Sequence, residues 1–318
     1  PDATRGERSV FSHSAPHWDA QRQRYRLLVT GRWFESADGI QWTPDPEDRA
    51  LSDEAPSYHV IYDESEADPA RRYKGLGMHN LVDPAEVLDE RGRPLPGKKL
   101  EFALNFQVSP DGYDWQRLAH WFSSGDEQNM SYDALDGRFI VSFKRGGKYG
   151  RSHAITTSPN FEQWSEPVLA IESDDLDQEL GRVHIDEFLA TPNADYLRPF
   201  PNTTDWHWQN IDIYNAAVFR YEGILLCLPA MYHARGRRWT SHTLRFSLIQ
   251  LWCSRDLHNW ERVADRQTFI HWSPKGAGAF DLSKNMPPSY PVVRGDELWL
   301  YYNGNKEQSH YPETDDEN

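Results

Sequence analysis

Short apolar segments recur along almost the whole chain, and apolar and polar positions alternate within many of them. Segments 25–30, 138–143 and 224–228 are examples, and Gly, Pro, Asn and Asp separate such segments from one another. Alternation with a period of two is typical of strands that bury one face, and the turn residues mark where a strand ends. The pattern therefore predicts an all-β protein without a long amphipathic helix.

Four copies of one phrase divide the strands into groups. Each copy has Ser first, Asp or Asn two positions later and Trp six positions after the Ser. The copies run from Ser36 to Trp42, from Ser109 to Trp115, from Ser158 to Trp164 and from Ser254 to Trp260. Asp and Asn favour a tight turn, Ser can bond the turn backbone, and Trp can pin the hairpin to its neighbour. We therefore expect the phrase to be structural, and its unequal spacing to reflect insertions between propeller blades.

These groups predict a single five-bladed β-propeller over residues 1–318. The blades are expected at about 9–44, 57–117, 119–170, 207–263 and 267–304. Residues 172–206, which hold many acidic residues and turn formers, are predicted to form a long loop on the rim or over the axis. No fifth copy of the phrase follows Trp260, so we expect a ring that closes differently or that lacks its closing strand after residue 304.

The charge of the chain limits its partners. Its 34 Lys and Arg residues stand against 49 Asp and Glu residues, which makes the formal net charge -15. Such a surface repels nucleic acid and anionic membranes, and no apolar run approaches the ~18 residues that a membrane span needs. Cys227 and Cys253 lie in strand-like segments, where two buried free thiols are favoured over a disulfide between adjacent strands. We expect a soluble globular protein with no nucleic-acid or membrane partner.

Motifs of several other protein classes are absent. The chain has no HExxH, paired CxxC or Gly-rich phosphate loop, so nothing supports a metalloprotease, a zinc ribbon or a nucleotide-binding protein. Trp is abundant, with 13 copies, of which only four belong to the repeated phrase. Trp206 and Trp208, which bracket His207 ahead of an apolar strand, can stack on a sugar ring or pack in the core.

The strand groups, the repeated phrase and blade segments such as 72–74, 132–133 and 295–304 resemble those of five-bladed propeller glycosidases. The similar families are glycoside hydrolase families 32, 43, 68 and 117, together with related unassigned bacterial sequences. The resemblance implies an exo-acting glycosidase of poly- or oligosaccharides that is secreted or periplasmic, with its leader absent from this chain. It implies no required cofactor and leaves open a structural or axial calcium or zinc ion.

The resemblance also implies an active site on the propeller axis, where the inner strands of different blades begin. Breaking an acetal needs a proton donor for the leaving oxygen and a carboxylate that acts as nucleophile or activates water. The candidates ahead of apolar strands are Asp126, Asp212 and Asp281, with Glu127 and Glu187 as alternatives. Each of these carboxyl groups could instead bond the backbone of a turn.

Blade one departs from families 43 and 32, because residues 10–14 hold His13 where an early Asp is expected. The resemblance to family 117 implies that His13, and after it His59, could take a catalytic or metal role or contact the substrate. A His titrates near neutral pH, which suits proton transfer or metal binding. Arg145, in the basic segment 144–151, could clamp a carboxylate or sulfate of an acidic sugar or could be solvated. The predicted substrate-binding residues are His13, His59, Arg145, Trp206, His207, Trp208 and Tyr214, and no metal ligand is assigned.

Two other functions fit the same frame, because one fold can carry many activities. A carbohydrate-binding propeller without catalysis would explain the missing acidic residue of blade one. A glycoside phosphorylase of the family 130 type would need basic residues at the axis to hold phosphate.

Overall fold

The computed structural model describes residues 13–56, 59–81, 102–190, 208–238, 241–274 and 279–305. Strands dominate these residues, and the α-helical structure within them is a single helix, α1 (Asp175–Ala190). The all-β prediction is confirmed. No helix in the described residues is long and apolar enough to cross a membrane.

The first three sheets are antiparallel meanders of four strands, each in chain order. The first sheet contains β1 (His17–Asp19), β2 (Arg24–Val29), β3 (Arg32–Ser36) and β4 (Thr43–Pro44). The second contains β5 (His59–Tyr62), β6 (Tyr73–Asn80), β7 (Phe102–Ser109) and β8 (Gln116–Ser124), with a short 3-10 helix at Pro69–Arg71. The third contains β9 (Gln128–Asp133), β10 (Arg138–Gly147), β11 (Gly150–Ser158) and β12 (Val168–Ile171).

The fourth sheet repeats this plan with longer strands and continues into the last group. It contains β13 (Gln209–Tyr221), β14 (Ile224–Arg238), β15 (Ser241–Gln250), β16 (Trp252–Ser254) and β17 (Glu261–Arg262), followed by a 3-10 turn at Val263–Arg266. The last group contains β18 (Thr268–Ile270), β19 (Lys284–Met286), β20 (Val292–Arg294), β21 (Glu297–Trp299) and β22 (Asn303–Asn305). Strand β19 pairs with β22 and, in parallel, with β15, while β20 and β21 form a hairpin.

The repeated phrase forms the turn between the third and fourth strands of the first three sheets and the turn between β16 and β17 in the fourth. In the first copy, Ser36 Oγ accepts a hydrogen bond from Gly39 N at 2.8 Å, and Asp38 Oδ1 accepts from Ile40 N and Gln41 N at 2.8 Å. The residue three positions after the Ser has a positive φ in every copy, at Gly39, Gly112, Phe161 and Leu257. The phrase is therefore a structural turn, as expected.

Two predicted boundaries are wrong. Residues 119–124 belong to the second blade, because β8 pairs with β7 along most of its length. The phrase closes a hairpin inside a blade instead of ending the blade. The predicted loop over 172–206 is wrong for residues 175–190, which form α1, whereas residues 191–206 lie outside the described part of the chain.

Helix α1 has local signals that its polar composition concealed. Asp174 and Asp177 exchange side-chain-to-backbone hydrogen bonds of 3.0 Å at its first turn, an arrangement that resembles a capping box. Gly181, Ile185 and Phe188 are buried at helical spacing, so one face of α1 packs against the protein. Ile185 and Phe188 are enough to anchor this face, although Leu176 and Val183 of the same helix are exposed.

The hydrophobic clusters of the described residues lie between successive sheets. Trp33 and Tyr73 join the first two sheets, and Phe106 of the second sheet stacks on Trp164 of the third with ring centroids 4.2 Å apart. Further clusters join the third sheet and α1 to the fourth sheet, and the fourth sheet to the last group. Cys227 and Cys253 are free thiols, as predicted.

The last strand group also contacts the first sheet. The Tyr301 hydroxyl donates to the Gly39 carbonyl oxygen at 3.0 Å, and Ser289 N donates to the His13 carbonyl oxygen at 3.0 Å. The sheets therefore form a closed ring around a common axis. The count of five blades stays a prediction, because the last group forms no four-stranded sheet within the described residues.

Candidate active site

Buried polar side chains meet where the inner segments of the blades come together. They are His13 ahead of β1, His59 on β5, Glu127 ahead of β9, Asn215 on β13 and Ser289 between β19 and β20. Each is 6% exposed or less, in a region where buried polar groups need partners. We call these residues, with the charged groups that surround them, the axial site.

Glu127 is the buried carboxyl group of the axial site. Asn215 Nδ2 donates a hydrogen bond to Glu127 Oε2 at 2.9 Å, and His13 Nε2 lies 3.2 Å from the same oxygen. Burial raises the pKa of Glu127 to about 7, although Lys144 acts against this rise. Oε1 accepts no hydrogen bond from the described residues, so Glu127 can carry a proton near neutral pH with one oxygen left for a ligand.

His13 and His59 form the neutral side of the axial site. Their rings stack with centroids 5.1 Å apart, and Ser289 Oγ lies 3.0 Å from His59 Nδ1 and 2.6 Å from the His13 carbonyl oxygen. Burial lowers the pKa of His13 to about 3 and lowers that of His59 well below its usual value. Both rings are therefore uncharged at neutral pH, and His13 contacts Glu127 without adding charge.

The cationic side of the axial site is built around Tyr214. Lys284 Nζ lies 3.7 Å from the centroid of the Tyr214 ring, and Lys144 Nζ lies 4.0 Å from it. Lys144 also forms an ion pair with Asp126, which is half exposed. Burial acts to raise the pKa of Asp126, but Lys144, a backbone hydrogen bond and Arg151 together outweigh it and leave that pKa below its usual value. Asp126 is therefore ionised at neutral pH.

Asp212 lies at the start of β13 and faces the hairpin between β10 and β11. Arg151 donates to Asp212 Oδ2 from its side chain at 3.0 Å and from its backbone at 3.2 Å. Gly150 makes this approach feasible, because its φ is +109° and a Cβ there would lie 2.9 Å from Asp212 Oδ2. Burial raises the pKa of Asp212 although Arg151 opposes the rise, and its buried Oδ1 has no partner among the described residues.

The other predicted residues are placed differently. Asp281 is 1% exposed, its Oδ2 accepts a hydrogen bond from the Tyr302 hydroxyl at 2.7 Å, and its buried Oδ1 has no partner among the described residues. Arg145 lies over the Phe143 ring at 5.1 Å, on the face of β10 opposite Lys144. Trp208 is half-buried at the edge of β13, whereas Trp206 and His207 lie outside the described residues.

Asn215, Lys144, Arg151 and Lys284 were not assigned a site role from the sequence. Strand parity is the signal that could have found Lys144, because Lys144 and Arg145 are neighbours and point to opposite faces of β10. Lys284 follows the predicted Asp281 by three residues, within the same segment. Its approach to Tyr214 depends on the register between blades, which the sequence does not show.

The described residues contain no group of three or more His, Cys, Asp or Glu side chains that could hold a metal ion. In the axial site, two neutral imidazoles accompany Glu127, and the other nearby carboxylates are paired with Lys144 and Arg151. A calcium or zinc ion at the axis stays a prediction from the resemblance.

Comparison with known proteins supports the fold. No family model and no curated protein sequence matches this chain. The endo-arabinase of Bacteroides thetaiotaomicron VPI-5482 aligns over 95% of this chain and 92% of its own, with a TM-score of 0.50 and 13% identity. The α-L-arabinanase of Penicillium chrysogenum complexed with arabinobiose aligns over 88% of this chain and 73% of its own, with a TM-score of 0.40 and 11% identity. The β-1,2-mannobiose phosphorylase of Listeria innocua aligns over 93% of this chain and 69% of its own, with a TM-score of 0.39 and 13% identity.

The similarity to the endo-arabinase concerns the fold. It shows that this chain has a propeller fold like that of the glycoside hydrolases, as the resemblance implied. At 13% identity it gives no information on the substrate.

Proposed function

We propose that this protein is a glycoside hydrolase and that the axial site is its active site. The observation that carries the proposal is Glu127, a buried carboxyl group with a pKa of about 7 at the meeting point of several blades. A general acid works best when its pKa lies near the working pH, because it then holds a proton and can also release it. The propeller fold shared with the glycoside hydrolases supports the same conclusion.

In this proposal Glu127 donates its proton to the leaving oxygen of the glycosidic bond. His13 and Asn215 hold Oε2, so the side chain keeps one orientation. Asp212 is the second carboxylate, which acts as nucleophile or activates water. Its Oδ2 is anchored by Arg151, and its buried Oδ1 lacks a partner in the described residues.

The substrate in this proposal is a poly- or oligosaccharide. Exo-action, export from the cell and a catalytic role for Asp281 stay predictions from the resemblance.

Mutagenesis with a glycan panel tests the proposal. The assay measures new reducing ends with the wild-type protein and with the variants Glu127→Gln and Asp212→Asn. Each substitution should keep the fold, measured by circular dichroism, and lower kcat/KM by about 10²–10⁴-fold, the usual contribution of a catalytic acid or base. Glu162→Gln is the matched control, because Glu162 is an exposed residue of a repeat turn that pairs with Arg71.

Two outcomes would contradict the proposal. One is wild-type activity in folded Glu127→Gln, because such activity would show that Glu127 is not the proton donor. The other is glycan binding by the wild-type protein without any product after long incubation, which would instead indicate a carbohydrate-binding propeller.

A further inference from the structure

Two lysine ammonium groups share one aromatic ring in the axial site. Lys284 Nζ and Lys144 Nζ lie 3.7 Å and 4.0 Å from the centroid of the Tyr214 ring. Like charges at this separation from one ring repel each other unless a negative charge lies nearby, and the repulsion grows where water is excluded. The balance of charge around the two lysines therefore decides what the site can bind.

The neighbouring carboxylates do not balance this positive charge equally. Asp126 pairs with Lys144, and Asp212 pairs with Arg151. No hydrogen bond or ion pair joins Lys284 Nζ to an acidic side chain within the described residues, and Glu127 acts on it only through space. When Glu127 is protonated, as the proposed function requires, the Lys284 charge loses this nearby counter-charge.

We propose that Lys284 and Lys144 bind an anionic group of the substrate, which is either a sulfate or carboxylate on a sugar or a free phosphate. The inference deepens the proposed function and rests on it for the glycan, whereas anion binding can be measured independently. A chain with a net charge of -15 repels anions at long range, so only a local cluster of cations can hold one. Ammonium groups next to an aromatic ring can provide such a cluster with little water in competition.

The pH dependence of anion binding follows from the surroundings of Lys284. The charged or titratable groups that face it are His13, Asp126, Glu127, Lys144, Tyr214 and Arg245. Burial, together with Lys144 and Arg245 and against the two carboxylates, lowers the pKa of Lys284 to about 8. Anion affinity should therefore weaken as the pH rises through about 8.

Titration calorimetry with inorganic sulfate and inorganic phosphate, at constant ionic strength kept with chloride, tests the binding step. The wild-type protein should bind both ions saturably, and Lys284→Gln should bind them at least about 10-fold more weakly, because one charge-assisted contact is lost. Lys284→Arg should retain most of the affinity, since it keeps the charge. Lys148→Gln should bind like the wild-type protein, because Lys148 is exposed and pairs with Asp175 on α1.

The binding titration can overturn the inference in two ways. One is the absence of saturable binding beyond chloride in the wild-type protein. The other is equal affinity in the wild-type protein and in folded Lys284→Gln. If Lys284→Gln does not fold, the wild-type titration with sulfate, whose charge is constant from pH 7 to pH 9, decides. Sulfate affinity that does not weaken over this range contradicts a role for Lys284.

Product analysis identifies the source of the anion. Neutral, sulfated and uronic oligosaccharides are incubated with and without phosphate. If phosphate is the co-substrate, its oxygen bonds to the anomeric carbon as the glycosidic bond breaks, Glu127 protonates the leaving oxygen, and a sugar 1-phosphate forms only in its presence. If the sugar carries the anion, sulfated or uronic glycans are hydrolysed without phosphate, and inorganic sulfate competes with them.

The same experiments separate this inference from the proposed function. Saturable, Lys284-dependent anion binding with no cleavage of any glycan supports the anion site and contradicts the glycosidase. Cleavage of neutral glycans at equal rates by the wild-type protein and Lys284→Gln, without inhibition by sulfate, supports the glycosidase and contradicts the anion site.

Discussion

Replacing Glu127 with Gln should change how the stability of the fold depends on pH. The pKa of this carboxyl group is about 7 in the folded protein, against an ordinary value of 4.5. Below pH 4.5 the group is protonated in both the folded and unfolded states, so its ionisation does not affect stability. As the pH rises towards 7, the unfolded chain loses this proton more readily, and the folded state is progressively disfavoured. Gln has nearly the same shape but does not titrate.

The size of this effect follows from the two pKa values. Each pKa unit corresponds to about 1.4 kcal/mol, so ionised Glu127 lowers the free energy of unfolding by about 3 kcal/mol at pH 8. At pH 5 the loss is below about 1 kcal/mol, because the unfolded chain is then only partly ionised at this position. Burial and Asp126 raise the pKa of Glu127 in the folded protein, and Lys144, Asn215 and Lys284 lower it.

Denaturant unfolding at pH 5 and pH 8 measures this difference. Between these pH values, Glu127→Gln should gain about 2–3 kcal/mol of stability relative to the wild-type protein. Glu162→Gln should show no such change, because Glu162 is exposed. A stability difference between the wild-type protein and Glu127→Gln that is equal at both pH values would refute the raised pKa and, with it, the assignment of Glu127 as proton donor.

Two further substitutions test the scaffold around the site. Gly150→Ala should lower kcat/KM by about 10- to 100-fold, because its Cβ would press against Asp212 Oδ2 and displace that carboxylate. The control is Gly137→Ala, at another positive φ with open space around it, which should affect stability alone. Equal losses of kcat/KM in both variants would contradict this explanation. Arg26→Met should cost about 3–5 kcal/mol in chemical denaturation, because it removes a buried guanidinium that bonds Asp45 at 2.9 Å and Tyr73 at 3.0 Å. The control is Arg24→Met, because Arg24 is exposed, and it should change the free energy of unfolding by less than about 0.5 kcal/mol. A change equally small in Arg26→Met would show that the buried ion pair contributes little to stability.

Most of the fold was predictable because its signals are local. The Ser and Asp of the repeated phrase bond backbone groups only two or three residues away, so each copy defines a turn wherever it occurs. Strand alternation predicted the sheets in the same way. Helix α1 was missed because its few buried residues, such as Ile185 and Phe188, are outnumbered by charged ones. The fourth strand of the second blade was assigned to the wrong blade, because strand pairing depends on contacts distant in sequence.

The candidate site was less predictable, since it depends on which side chains meet across blades. Asp212 and Tyr214 were named from their position ahead of and within an apolar strand, and both lie at the axial site. Lys284 and Asn215 carry no such local signal. Lys284 approaches Tyr214 on β13, and Asn215 bonds Glu127, which lies ahead of β9, so each pair joins different blades. Burial, which raises the pKa of Glu127, is likewise a property of the assembled ring.

The pH dependence of kcat/KM for glycan hydrolysis tests the role of Glu127 most directly. A general acid must be protonated in the free enzyme, so kcat/KM should fall about 10-fold per pH unit above a pKa of about 7. The residual activity of Glu127→Gln should lack this alkaline limb. A wild-type profile that stays flat to pH 9, or an identical alkaline limb in Glu127→Gln, would contradict the assignment of Glu127 as the proton donor.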